Sequence, residues 1–245
     1  MSIKAFFKKI LSIFDKGVYN SDWRCLSCGK EIFENQKICD DCLKQLPYND
    51  KYICYHCGRQ TVAPEQYCTT CKGNLTALDK CRSFFVYKKP ISTMIMRLKY
   101  GNQRYLVEYF AGCLAKIYLQ NYFNADGLVY VPMTKKDFLK RGYNQSKLLA
   151  ESLSNMVNVP VLDCLVKKIQ TKRQATLTRE QRIKNLKDAF KVANKNLVKD
   201  KTLVIIDDVS TTGATAQAIA EKLKNAGAKN VYLISVASTP PIDKY

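Results

Sequence analysis

Eight of the eleven cysteines form four Cys-x-x-Cys pairs in the first third of the chain. A Cys-x-x-Cys turn directs two sulfurs at one centre, and two such turns complete a tetrahedral zinc shell with Zn–S distances of about 2.3 Å. A glycine follows the second sulfur in two of the turns, as suits the positive φ of a zinc knuckle. We therefore predict two closed, structural zinc sites. Their ligands are Cys25, Cys28, Cys39, Cys42, Cys54, Cys57, Cys68 and Cys71.

Disulfides and redox chemistry are the competing explanations for these cysteines. A disulfide framework is typical of secreted chains, but residues 1–16 lack the apolar region and cleavage site of a signal peptide. Thioredoxin-like chemistry needs one Cys-x-x-Cys rather than four in a row. We expect two successive ribbons, the first with the ligands at 25, 28, 39 and 42 and the second with those at 54, 57, 68 and 71, and a cross-braced arrangement that joins the first and third pairs around one ion stays open as the alternative. His56, inside the third pair, is expected to be a spacer rather than a ligand.

A polar loop after an apolar run is the second feature with chemical potential. It reads LVIIDD over 203–208 and VSTTGAT over 209–215. Asp207 and Asp208 would repel one another at the end of a buried strand unless ribose hydroxyls, a divalent cation or water faced them. The hydroxyls, the glycine and the N–H groups that begin the next helix suit a phosphate. Without the lysine and spacing of a Walker loop, nucleoside triphosphate hydrolysis is a poor fit.

Alternating apolar runs and amphipathic stretches after Lys80 predict an α/β domain that positions this loop. We expect strands at 83–87, 128–131, 165–168, 202–206 and 231–236. Helices are expected at 91–98, 105–122, 144–157 and 214–225. The last strand–helix–strand unit implies a parallel sheet, in which ligands bind at the carboxyl ends of the strands.

The loop resembles the signature of the type I phosphoribosyltransferases, which is four apolar residues, two acidic residues and a Ser/Thr/Gly run. The resemblance implies that it binds the 5-phosphate of phosphoribosyl pyrophosphate (PRPP) and that the acidic pair contacts the ribose hydroxyls. It also implies Mg²⁺, held through the diphosphate, the sugar and water. The implied PRPP ligands are Asp207, Asp208, Ser210, Thr211, Thr212, Gly213 and Thr215. If turnover occurs, Asp208 is the candidate proton-transfer group, because the only histidine lies in the zinc module.

Other segments make the chain similar to the ComF family, over nearly its whole length. The string RGYNQ at 141–145 is similar to the family's RGFNQ, with Tyr143 where Phe is usual, and LKYG at 98–101 matches upstream. Downstream, the pattern Q-x-x-L, R-x-x-N and F occurs at 174–177, 182–185 and 190. The implied fold is α/β, a parallel-sheet type I phosphoribosyltransferase-like domain preceded by a small Cys-rich zinc-ribbon module.

The predicted organisation has three parts. Residues 1–22 contain an N-terminal amphipathic helix, 23–80 a double zinc-ribbon module and 81–245 the phosphoribosyltransferase-like domain. Apolar residues recur at helical spacing along 1–16, with lysines opposite. Docking on the rest of the protein is the favoured explanation for this helix, and membrane-surface contact is the alternative.

Charge points to phosphates. The chain has 40 Lys and Arg against 21 Asp and Glu, a net charge of +19, and 28 of the basic residues against 12 of the acidic ones follow Lys80. Arg141 and Arg182 are expected to contact phosphate, because a bidentate guanidinium suits diphosphate or nucleic-acid oxygens. The lysines favour a non-specific, salt-dependent grip on single-stranded DNA.

Two functions fit these features. The family resemblance implies a cytoplasmic late-competence protein that handles incoming single-stranded DNA in natural transformation, beside a ComFA-like helicase or translocase, and that has a PRPP site. The alternative is a phosphoribosyltransferase that acts on an unidentified base or other nucleophile, and a weaker one is a regulator that binds PRPP without turnover. No run of 18 apolar residues occurs, so no membrane span is predicted.

Overall fold

The structure is a computed structural model that describes residues 23–32, 36–61, 64, 66–73, 76–121, 123–168 and 189–240. The expected helix in 1–22, the 174–185 pattern and Arg182 lie outside these residues. The strands are β1 Lys80–Val86, β2 Gly127–Tyr130, β3 Leu165–Lys167, β4 Phe190–Val192, β5 Thr202–Ser210 and β6 Asn230–Ser238. The helices are α1 Asp40–Leu43, α2 Ile91–Tyr100, α3 Leu106–Gln120, α4 Lys135–Arg141, α5 Gln145–Val157 and α6 Ala214–Asn225.

A four-stranded parallel sheet in the order β1-β6-β5-β2 forms the centre of the domain. Successive residues of β5 point into two different apolar clusters. Val204 and Ile206 pack with residues of α2, α3 and α5, whereas Leu203 and Ile205 pack with residues of α6. Helices therefore cover both faces, as a parallel sheet requires. The α/β fold class and the β5–α6–β6 unit are confirmed.

The sequence interpretation missed several local features. The strand expected at 165–168 is β3, but it lies outside the central sheet and pairs antiparallel with β4. Strand β5 continues to Ser210, so both aspartates lie within the strand rather than in a loop after it. Helix α4 was not predicted, because it buries none of its residues and shows no apolar stripe. It begins with the side chain of Thr134 as a cap and ends at Gly142, which has a φ of 80°.

The cysteine-rich segment packs directly on the phosphoribosyltransferase-like segment. Cys25 and Leu46 belong to the apolar cluster that contains Phe85 of β1 and the buried residues of α2 and α3. The outer edge of β1 is hydrogen-bonded to this segment, since the N–H of Asn49 donates to the Phe84 carbonyl at 3.0 Å and the N–H of Cys81 donates to the His56 carbonyl at 2.7 Å. These bonds cover a strand edge that would otherwise be exposed.

The two knuckle glycines offer a matched test of this packing. Gly29 and Gly58 have φ values of 78° and 67°, but a Cβ on Gly58 would lie 2.3 Å from the Cys81 carbonyl oxygen, whereas one on Gly29 meets nothing within 4 Å. We expect Gly29→Ala to lower the free energy of unfolding by about 1–2 kcal/mol through backbone strain alone. Gly58→Ala should cost about 1–3 kcal/mol more, because β1 has to move. Urea unfolding of the zinc-loaded variants measures both, and equal losses would contradict the packing described.

Candidate functional site

The eight predicted ligands form two four-cysteine clusters. The sulfurs lie within 4.8 Å of one another in the first cluster, which has Cys25, Cys28, Cys39 and Cys42, and in the second, which has Cys54, Cys57, Cys68 and Cys71. This grouping is that of successive ribbons and excludes the cross-braced arrangement. Across the pairs, the Cys28 and Cys39 sulfurs are 3.9 Å apart and those of Cys57 and Cys68 are 3.7 Å apart. Tetrahedral zinc with four thiolates separates its ligands by about 3.8 Å, so both clusters fit zinc.

Backbone donors prepare one sulfur of each cluster for metal. The N–H of Cys39 donates to the Cys25 sulfur at 3.3 Å, and the N–H of Cys68 donates to the Cys54 sulfur at 3.4 Å. Burial raises the pKa of both thiols, but the backbone N–H donors outweigh burial and lower each pKa to about 7. The thiolate is the form that binds metal. Bound zinc would supply a structural cross-link, because four thiolates leave no open coordination position.

His56 is not a member of either cluster. Its Nε2 lies 2.7 Å from the Thr76 hydroxyl oxygen, and its carbonyl accepts the bond from Cys81 described above. It therefore helps to hold the second ribbon together and against β1, which agrees with the expected role of a spacer.

Asp207 and Asp208 form an acidic pair at the carboxyl end of β5, in which Asp207 is half-buried and Asp208 is buried. Asp207 Oδ1 accepts hydrogen bonds from Ser146 Oγ at 3.0 Å and from the Asp208 N–H at 2.9 Å. Asp208 is 3% exposed, and its Oδ2 lies 2.5 Å from the ammonium nitrogen of Lys99. Helix α2 supplies Lys99 from its last turn and α5 supplies Ser146 from its first turn. The pair is thus assembled from three separate elements.

The two carboxylates share a single close cation among the residues described. Burial raises the pKa of Asp207, and the negative charge of Asp208 raises it further. Burial alone would lower the pKa of Lys99, but the charge and hydrogen bond of Asp208 raise it above its ordinary value. Arg141 is close enough to reduce that rise. Because two carboxylates face one ammonium, some of their oxygen lone pairs remain available for hydrogen bonds from the hydroxyl groups of a ligand.

The loop between β5 and α6 has the geometry of an anion site. Gly213 precedes the helix with a φ of 76° and has no side chain of its own with which to cap the first turn. A Cβ on Gly213 would meet nothing within 4 Å, so space exists beside this backbone. The Ala214 N–H donates to the Thr212 hydroxyl at 3.3 Å, and Thr239 ties the loop to β6 through the Thr211 carbonyl at 3.0 Å. Hydroxyls and N–H groups of a helix start suit a phosphate.

Of the predicted phosphate ligands, Thr211 and Thr212 are exposed. Ser210, Gly213 and Thr215 are half-buried. Ser210 is the last residue of β5, and the other four belong to the loop or to the first turn of α6. Their assignment as PRPP ligands stays a prediction.

The RGYNQ segment connects the other parts of the site. The Tyr143 hydroxyl donates to the Leu98 carbonyl, beside Lys99. The Asn144 amide donates to the Val131 carbonyl at 3.0 Å, and its oxygen accepts from the Ser146 N–H at 3.0 Å. These bonds fix Ser146 relative to the end of β2 and to α2. Tyr143 and Asn144 thus position the groups that face the acidic pair.

Arg141 holds two partners within the protein. Its guanidinium donates to the Gln145 side chain and lies 4.9 Å from the centre of the Tyr100 ring. These two contacts leave other N–H groups of the guanidinium available for a ligand. The charge of Arg141 acts to lower the pKa of Lys99, so Arg141 lies near the acidic pair. Its predicted phosphate contact is untested.

Sequence reasoning did not assign a role to Lys99 or Ser146. Lys99 lies in the LKYG segment and Ser146 directly follows RGYNQ, so both adjoin segments that carried the family resemblance. That proximity was the available signal. Neither residue could be paired with an aspartate without knowing how α2 and α5 pack on the sheet.

Comparison with known protein families gives two matches. The model of the phosphoribosyl transferase domain matches residues 141–243, and the model of the double zinc ribbon domain matches residues 19–72. The second match contains both cysteine clusters, and the first contains the acidic pair and the loop. Within the described part of the chain, no helix has the length and hydropathy needed to cross a membrane.

Several curated proteins resemble this chain. Competence protein F of Haemophilus influenzae is 31% identical over 221 residues, which cover 87% of this chain and 83% of that protein. DNA utilization protein YhgH of Escherichia coli K12 is 30% identical over 163 residues, 62% of this chain and 69% of that protein. Competence protein ComFC of Bacillus subtilis is 26% identical over 161 residues, 62% of this chain and 63% of that protein.

The clusters lead to a test by metal content. We expect purified protein to hold two zinc ions per chain, and Cys28→Ser to hold one, because a serine hydroxyl is a poor replacement for a thiolate. Cys113→Ser, which changes a buried cysteine outside both clusters, should retain two. Native mass spectrometry counts the ions directly. A single ion per chain in the unaltered protein would be incompatible with two separate sites.

Proposed function

This chain belongs to the ComF family, in which a double zinc ribbon is joined to a phosphoribosyltransferase domain, and from that premise we propose that it is a late-competence, ComFC-like protein that binds PRPP and handles incoming single-stranded DNA in natural transformation. The observation that supports PRPP binding is the acidic pair with its partners Lys99 and Ser146, next to the loop that contains Gly213. The DNA part is supported by the net charge of +19 and by the names of the relatives.

In the proposed complex, ribose hydroxyls donate to the Asp207 and Asp208 carboxylates, and the 5-phosphate lies against the 210–215 loop. Hydroxyl donors at Asp208 compete with Lys99, so the ammonium becomes available to the diphosphate. Arg141 and Arg182 are proposed as further diphosphate ligands. Mg²⁺ would neutralise diphosphate charge when bound. Asp208 Oδ2 already faces the Lys99 ammonium at 2.5 Å. The acidic pair therefore fits a Mg²⁺ that arrives bound to the diphosphate better than one held by the carboxylates alone.

Single-stranded DNA is the proposed macromolecular ligand because positive charge and exposed aromatic rings occur together near this site. Tyr100 is 64% exposed, and Arg141 lies against its ring. Proteins that grip single strands combine a cationic surface with aromatic rings on which bases stack. We further propose that a ComFA-like helicase or translocase delivers the strand. The proposed place of action is the cytoplasm, where the cysteines stay reduced and available for metal.

Phosphoribosyl transfer is the second candidate, and the electrostatics of the acidic pair favour it. A raised pKa lets a carboxylate hold a proton close to neutral pH, which suits acid–base chemistry. Asp208 was the candidate from sequence. The ion pair with Lys99 makes Asp207 the better candidate, because burial and Asp208 raise the pKa of Asp207. Release of diphosphate from PRPP across a panel of bases and amines tests for turnover.

Binding of PRPP should depend on the charge of the acidic pair. We expect Asp208→Asn to weaken PRPP binding about tenfold or more, because the Asp208 carboxylate, which faces the Lys99 ammonium, accepts a hydrogen bond worth about 1.5–3 kcal/mol and an amide accepts a weaker one. Asp41→Asn, an exposed position in α1, is the matched control and should bind as the unaltered protein does. Titration calorimetry with Mg²⁺ present measures each affinity. Identical affinities for both variants would refute the site.

Binding of single-stranded DNA should weaken steeply with salt. Raising salt from 50 to 200 mM should lower the affinity by roughly tenfold or more, because each neutralised phosphate releases counterions. Fluorescence anisotropy of a labelled oligo(dT) strand measures this. A peptide nucleic acid of the same bases has no phosphates, and it should bind at least tenfold more weakly than oligo(dT) in low salt. A flat salt response, or equal binding of the uncharged strand, would count against a phosphate-driven grip.

A further inference from the structure

The second zinc ribbon presents an exposed aromatic ring beside two cations. Tyr55, between the ligands Cys54 and Cys57, is 54% exposed. The Lys80 ammonium lies 5.6 Å from the centre of its ring, and the Arg82 guanidinium carbon lies 5.8 Å from it. We propose that Tyr55, Lys80 and Arg82, here called the ribbon patch, form a contact for single-stranded nucleic acid. None of these residues belongs to the phosphate site.

The cations of the ribbon patch lack an acidic partner among the residues that the structure describes. Within the described ranges, no carboxylate lies at ion-pair distance from Lys80 or Arg82. Asp79, the neighbouring acidic residue, is held by Lys224 at 2.8 Å and by the Val231 N–H at 2.7 Å. Lys80 and Arg82 therefore repel one another with no described carboxylate between them, and cysteine thiolates, including those of the second cluster, offset part of the charge of Arg82. An anion placed between them would relieve that repulsion.

The backbone of Tyr55 is anchored on both sides, and its ring packs on a neighbouring ring. The Tyr55 N–H donates to the Gln66 carbonyl at 2.8 Å, and the Tyr55 carbonyl accepts from Arg82 Nη1 at 2.9 Å. Tyr67 packs edge-on against the ring, with 6.1 Å between centroids. A preorganised ring loses little entropy when a ligand stacks on it. Tyr55 lies inside the knuckle formed by Cys54 and Cys57, and zinc bound there would add to this rigidity.

Single-stranded nucleic acid is the ligand that uses both parts of the patch. A base stacked on an aromatic side chain contributes about 1–3 kcal/mol, and the adjoining phosphate would meet the two cations. An acidic peptide would satisfy the charges but would leave the ring without a role. Duplex DNA keeps its bases stacked on one another, so it also leaves the ring without a role. The identity of the strand as DNA rests on the proposed function.

The experiment compares two variants with the same change in composition. Tyr55→Ala/Lys80→Gln removes the ring and one cation, whereas Tyr52→Ala/Lys51→Gln removes an equally exposed tyrosine and a lysine of the same ribbon. We expect the first to weaken oligo(dT) binding about tenfold or more and to reduce the log–log salt slope by about 1. The second should change affinity less than twofold. Both should keep two zinc ions and unaltered PRPP affinity.

The outcomes separate this inference from the proposed function. If the unaltered protein binds no oligo(dT), the DNA part of the proposed function fails and the patch with it. If it binds and both variants bind equally well, only the patch is refuted. Tyr55→Trp, which keeps an aromatic face, should retain binding, and its loss would refute stacking. Tighter binding of polyglutamate than of oligo(dT) would assign the patch to an acidic peptide and overturn the proposal.

Discussion

The site depends on keeping two adjacent carboxylates at the buried end of β5. Such a pair is stable only if other elements bring donors to it, because an unpaired buried charge is costly. Lys99 and Ser146 meet that need from α2 and α5, and each is fixed by bonds of the RGYNQ segment. The packing of both helices on the sheet is therefore tied to the electrostatics of the pair. A shift of either helix would remove a partner from an aspartate.

The zinc ribbons take part in this arrangement through α2. Arg97, two residues before Lys99, donates to the carbonyls of Leu26 and Ser27 in the first knuckle, at 2.9 and 3.1 Å. This turn, which zinc would rigidify when bound, thus contacts the same end of α2 that supplies the ammonium for Asp208. The second ribbon packs on the edge of the sheet at β1, where the His56 carbonyl accepts from the Cys81 N–H. A structural metal far from the chemistry can in this way determine the geometry of the acidic pair.

The sequence revealed features that depend on neighbours along the chain. The cysteine pairs, the two aspartates and the start of α6 follow from local spacing, and the structure contains them. The expected pairing into successive ribbons is confirmed, but spacing alone did not exclude the cross-braced alternative, because both arrangements satisfy each knuckle equally. Lys99 and Ser146 were missed for the same reason, since their partner lies more than sixty residues away. Strand β4 is only three residues long and carries too little periodicity to be recognised.

The Lys99–Asp208 ion pair also bears on which ligands the site would select. A ligand with only anionic groups can attract Lys99, but it would leave Asp208 Oδ2 buried without a donor, because the Val209 N–H donates only to Oδ1, at a cost of several kcal/mol. A ligand with only hydroxyls can donate to Asp208 but would leave the ammonium unpaired. A sugar that carries both vicinal hydroxyls and phosphates supplies a partner to each side of the broken pair. By this argument the ion pair disfavours inorganic diphosphate and free ribose alike, and it favours a phosphorylated ribose.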